Sequence, residues 1–142
     1  MSKLPLNSIT YSRGAFDFSM LILRIGFGIL MIPHGYAKYQ GFAEKQTEFM
    51  DFMGLGPATS LVFAIFAELV CSALLVLGLF TRAATVPLIV TAAVITFMAH
   101  EGDIFGKAYG GFSYLLVYVV LLLLGPGKYS LDGLISSKQT KY

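Results

Sequence analysis

Residues 16–39 read FDFSMLILRIGFGILMIPHGYAKY, and this stretch decides the fold. It is apolar for long enough to cross a hydrocarbon core about 30 Å thick, which takes roughly 17–25 helical residues. Three further apolar segments follow. Residues 57–80 (PATSLVFAIFAELVCSALLVLGLF) form the second, and the third (AATVPLIVTAAVITFMA) is bracketed by Arg82 and His100. The fourth ends in YLLVYVVLLLL before Gly125-Pro126-Gly127, and reaches spanning length only if its helix takes in Ala108 to Gly111. Four spans give an all-α integral membrane four-helix bundle covering residues 16–127. A short segment (1–15) precedes it and a tail (128–142) follows it.

The rest of the chain agrees. Of its 142 residues 56% are hydrophobic and only 13% charged, and the mean hydropathy is +0.75. Soluble domains are about 25% charged. Lipid, unlike water, covers such a surface without cost, so the bilayer is the first expected partner. A net charge of +2 with scattered basic residues argues against nucleic acid. Cys71 is the lone cysteine, so no intrachain disulfide forms. The first apolar run lacks a small-residue cleavage site at its end and is read as a retained span.

Turn signals punctuate the segments. Gly54-Leu55-Gly56-Pro57 places a proline at a helix start, where its missing N–H costs nothing. Gly78 to Arg82 makes spans two and three antiparallel neighbours, Gly125-Pro126-Gly127 stops the last helix, and Lys138 to Tyr142 read as a frayed tail. With four spans both termini share a side. That side carries Lys3, Arg13, Arg82, Lys128, Lys138 and Lys141, against Lys38, Lys45 and Lys107 opposite. The excess places both termini in the cytoplasm, for a multi-pass protein of the bacterial inner membrane.

Ionisable groups inside spans normally face the bundle and find partners. Arg24 lies about 12 Å in from the apparent edge of span one, and Glu68 reaches a similar depth in span two at about 1.5 Å per residue. An Arg24–Glu68 ion pair is therefore expected, either bracing the helices or positioning a polar head group or proton. Arg24, Gly28, Met31, Gly35 and Lys38 fall near one line of the first helix, and Leu61, Ala64, Glu68, Ser72 and Leu75 share a face of the second. Small residues on such lines permit close helix contact.

A second constellation sits at the opposite boundary. Pro33 should kink the first helix and free the carbonyl of Ile29. His34, Lys38, His100, Glu101 and Asp103 lie at similar depth, with Tyr36, Tyr39 and Tyr109. Three readings compete: an interfacial belt, a pocket for a polar ring such as a quinone head formed by His34, Lys38, His100 and Glu101, or a metal site. The last lacks compact ligand spacing on one helix, and haem would need both histidines to face one cavity. Cys71 among Leu and Val is an inert thiol, and Thr91 and Thr96 are expected to bond back to their own helix. No nucleophile–base pair or nucleotide fingerprint is visible.

The segments LILRIGFGILMIPHGYAKYQGF, FAELVCSALLVLGLFTRAATVPL, HEGDIFGKA and LLLLGPGKYSLD, in that order and spacing, resemble the DoxX family of small bacterial membrane proteins. Arg24, His34, Gly35, Lys38, Glu68, Arg82 and the Gly125-Pro126-Gly127 stop match its pattern. The resemblance implies a four-helix inner-membrane protein, an accessory or quinone-facing subunit of a membrane redox complex, with quinone as the candidate cofactor and membrane or peripheral redox subunits as candidate partners. It supplies no catalytic residue. Relatives often carry an acid shortly before the last span, where this chain reads Tyr109-Gly110-Gly111. The rival readings are a non-catalytic module that binds partner helices, and a small carrier built as a homo-oligomer around Arg24 and Glu68.

Overall fold

A computed structural model describes residues 6–139, so Lys3 and Lys141, used above to orient the chain, lie outside the described residues. No strand occurs among those described. The helices are α1 (Arg13–Gln40), the single turn α2 (Phe42–Lys45), α3 (Pro57–Leu77), α4 (Thr81–Ala99), α5 (Tyr109–Leu124) and α6 (Leu131–Gln139). Three of them, α1, α3 and α4, are long and apolar enough to cross a membrane. The fourth, α5, has 16 residues: it takes in Gly110 and Gly111 but not Ala108, and stops just short of the roughly 17 residues a span requires. At 1.5 Å per residue it reaches about 24 Å.

Sequence chemistry sets the ends. Ser12 caps α1 by accepting a hydrogen bond from the Ala15 amide. Pro57 opens α3. Gly78 closes α3 in the left-handed region at φ +70, where a β-carbon would be strained and would also strike Ser130 and Arg24. The next turn starts at once: both carboxylate oxygens of Asp132 accept from the Phe80 and Thr81 amides at 2.9 and 2.8 Å. Asp132 thus caps α4 from 52 residues away in sequence, and its own amide donates to the Gly78 carbonyl at 2.8 Å. Lys138, expected in a frayed tail, instead sits in the last turn of α6; Thr140 to Tyr142 lie outside the described residues.

Helices α1, α3, α4 and α5 close into a ring: α1 packs along α3, α3 along α4, α4 along α5, and α5 back onto α1. Met20, Met31, Cys71, Leu75, Ala84, Leu88, Ala92, Tyr118 and Leu121 fill the interior. Large apolar side chains such as Ile22, Ile29, Leu30, Leu77, Phe97 and Leu123 point outward, where lipid takes the place of water. Both expected faces hold. Arg24, Gly28, Met31 and Gly35 are buried on α1, and Leu61, Ala64, Glu68, Ser72 and Leu75 are buried on α3.

The two faces meet backbone to backbone. A β-carbon at Gly35 would lie 2.8 Å from Glu68 Cβ and 2.9 Å from the Glu68 carbonyl carbon. One at Gly28 would lie 2.6 Å from Val76 Cγ2, the end of a side chain, and 3.2 Å from the Ser72 carbonyl oxygen. Backbone cannot yield as a side chain can. Gly35→Ala should therefore cost about 1–3 kcal/mol and Gly28→Ala less, measured by unfolding in detergent. No measurable loss in Gly35→Ala would show that the helices do not touch there.

Candidate functional site

The expected Arg24–Glu68 ion pair does not form. Glu68, fully buried, is held by Lys38, whose Nζ donates to Oε1 at 3.0 Å and to Oε2 at 2.8 Å. Arg24, 1% exposed, lies toward the other end of the bundle. Its Nε donates to the Pro126 carbonyl at 3.1 Å, its Nη1 to those of Leu75 and Val76 at 3.1 and 3.0 Å, and its Nη2 to that of Tyr129. The carbonyl dipoles at the C-terminal end of α3 favour a cation there without a carboxylate.

The reason is register. Helix α1 starts at Arg13, before the apolar run, and overhangs α3 at that end; the turn after α5 covers the overhang, with the Lys128 amide on Asp17 Oδ1 at 2.9 Å. Arg24 is therefore level with Leu75 and Val76, about two turns from Glu68, or about 12 Å along the axis. Counting inward from the apparent apolar edges placed them side by side. Gly35, not Arg24, stands against Glu68, and Lys38 one turn further on reaches back to it.

Beside this ion pair lies a cavity of about 620 Å³. Its walls are α3 (Phe63, Ala64, Ala67) and α4 (Val90, Val94), with Lys38 and Glu68 at the polar end. The connection between α2 and α3 folds over it with Phe49, Phe52 and Leu55. That connection is pinned: Asp51 Oδ1 accepts from the Gly56 amide at 2.8 Å, and Ser60 Oγ accepts from the Phe52 amide at 2.9 Å while donating to the Gly56 carbonyl at 2.7 Å. Glu68 sits in a π-helical stretch, Phe66–Cys71, a local widening frequent at functional sites. A second π stretch, Val94–Ala99, ends α4.

Of His34, Lys38, His100 and Glu101, only Lys38 lines the cavity. One residue along a helix turns the side chain about 100°, so with Gly35 against α3 the neighbouring His34 faces α5. Its ring stands edge-on to Tyr114 with centroids 6.0 Å apart. His100 Nδ1 is 2.8 Å from the Ile95 carbonyl oxygen and so finishes α4. Glu101 is exposed in the following turn, with φ +55. Among the described residues no three of His, Cys, Asp and Glu gather as a metal set. Thr96 bonds back to the Ala92 carbonyl at 2.7 Å, whereas Thr91 lines the cavity. The residues of the connection were missed in the sequence, although Phe49, Met50, Phe52 and Leu55 are unusually apolar for a loop between spans.

A DoxX family model matches residues 19–101, more than half of the chain and all of the cavity's lining. The chain belongs to the DoxX family. This DoxX chain is 34% identical over 125 residues to an uncharacterized protein of Haemophilus influenzae, a match covering 82% of the chain and 83% of that relative. It is 31% identical to an uncharacterized membrane protein of Mycobacterium tuberculosis, covering 86% and 84% of the two chains. It is 29% identical to the inner membrane protein YphA of Escherichia coli, covering 89% and 99%. No solved structure gives a significant match. Helices α5 and α6, with the carbonyls of Pro126 and Tyr129 that hold Arg24, fall outside the family match.

The ion pair in this DoxX chain sets a clear expectation. Lys38→Met leaves a fully buried carboxylate without its counter-charge and should cost about 3–5 kcal/mol. Adding Glu68→Gln should recover most of that loss. Unfolding of the two single variants and the double variant in detergent measures the coupling, and strictly additive losses would mean that the two groups do not interact.

Proposed function

We propose that this DoxX protein is an accessory, quinone-facing subunit of a redox complex in the bacterial inner membrane, with both termini in the cytoplasm. The observation that carries the proposal is one charged donor at the end of a largely apolar cavity between α3, α4 and the connection that folds over them. Ligand sites commonly combine apolar walls with a few placed polar groups. A quinone head fits that donor set: it is flat and apolar, and its polar atoms are carbonyl oxygens that accept hydrogen bonds.

When bound, a quinone supplies reversible two-electron, two-proton chemistry. The chain's own residues bind and orient. An ammonium carries three donors, and the two bonds to Glu68 leave Lys38 Nζ with a proton to offer a carbonyl oxygen. Glu68 fixes that ammonium in position at the end of the cavity. Phe52 and Phe63 give the ring a surface and exclude water. In this reading the electrons come from a partner subunit. The basic side chains at the end of the bundle that carries both termini, Arg13, Arg82 and Lys128, support the orientation.

The test is thermal unfolding of the detergent-solubilised protein against a series of short-tailed quinones, with a ring-free isoprenoid alcohol as comparison. Quinones should raise the melting temperature and the alcohol should not. Ala64→Trp, which fills the cavity, should abolish the shift, and Lys38→Met should weaken binding about tenfold, as loss of one hydrogen bond to a charged donor implies. His34→Ala should leave it unchanged. A flat response across the series, or an unchanged response in Ala64→Trp, would refute the reading.

A further inference from the structure

The opposite end of the bundle holds a second cavity, of about 680 Å³, with a different chemistry. Arg13 and Lys38 are about 38 Å apart along α1, so this cavity and the Glu68 site are separate. Three cations line it, each from a different segment: Arg13 opens α1, Arg82 opens α4, and Lys128 follows α5. All three are exposed, and none forms an ion pair among the described residues.

The two carboxylates in the same wall are already engaged. Asp132 spends its oxygens on the Phe80 and Thr81 amides, and Asp17 Oδ1 takes the Lys128 amide. Both are therefore drawn inward to backbone, while the cations point outward. Gly125 shapes the site. Its φ of +85 excludes most side chains, and a β-carbon there would lie 3.1 Å from Arg82 Nη2 and 3.3 Å from its Nε. The guanidinium thus lies against bare backbone between Leu124 and Pro126, two residues of the cavity wall. Phe80 and Leu124, 64% and 48% exposed, continue the wall toward the apolar flank.

We infer that this cavity binds a phosphate group carried by an anionic membrane lipid, with Arg13, Arg82 and Lys128 on the headgroup and Phe80 and Leu124 against the acyl chains. Guanidinium and ammonium donors match phosphate oxygens, and basic pockets between spans at the membrane surface take anionic headgroups. The adjoining apolar side chains select the lipid over a free anion.

Native mass spectrometry of the full chain from mild detergent, with phosphatidylglycerol and phosphatidylcholine in equal amounts, reads the outcome. The wild type should retain phosphatidylglycerol about tenfold over phosphatidylcholine, the order expected of basic side chains near the membrane surface. Arg82→Gln with Lys128→Gln should bring retention down to the phosphatidylcholine level. Lys45→Gln with Lys107→Gln, an equal loss of charge at the other end, should not. Equal retention of the two lipids by the wild type overturns the inference without any variant. Inorganic phosphate that displaces phosphatidylglycerol at comparable concentration overturns the assignment to lipid.

Discussion

An ion in hydrocarbon has no water to turn to, so the fully buried Glu68 keeps its place only because Lys38 reaches it with both bonds. That pairing organises this half of the molecule. Lys38 must end α1 at the level of Glu68, and α1 and α3 must lie close enough for the lysine to span the gap. Gly35 makes that approach possible, since any β-carbon there would meet the Glu68 backbone. The ammonium and carboxylate then become the charged end of a cavity whose other walls are largely apolar, with Phe, Val and Ala prominent among them.

The other half obeys the same constraint by different means. Arg24 has no carboxylate in direct contact, but four carbonyl oxygens surround its planar guanidinium. Two belong to the end of α3 and two to the turn after α5, so one side chain ties the first helix to the second and to the chain beyond the fourth. Asp132 and Asp17 reinforce the tie by accepting backbone amides. With those carboxylates committed to backbone, the cations Arg13, Arg82 and Lys128 are left exposed at this end of the bundle.

Much of this was legible in the sequence, for a physical reason: apolar length and helical period follow directly from residue order. The three long helices, the short fourth one and the glycine-lined contact between α1 and α3 all emerged from that order. So did the burial of Arg24 and Glu68. Partner choice did not. It depends on where α1 stands against α3 along their common axis, and a lipid-facing sequence marks the ends of helices only loosely. The overhang of α1 moved Arg24 away from Glu68 and brought Lys38 to it. The cluster of His34, His100 and Glu101 failed for a related reason: shared depth does not imply a shared face, and only Lys38 turns toward the cavity. The covering loop was invisible to periodicity because it has none.

The claim on which the site rests is that Lys38, and not Arg24, neutralises Glu68. Solid-state NMR in lipid bilayers measures this directly through the dipolar coupling between lysine or arginine side-chain nitrogen and the Glu68 carboxylate carbon. A strong coupling from Lys38 Nζ, as a 2.8 Å contact to the carboxylate oxygen demands, with none from the Arg24 guanidinium, is the expected result. Coupling of Glu68 to Arg24, with Lys38 silent, would contradict the account.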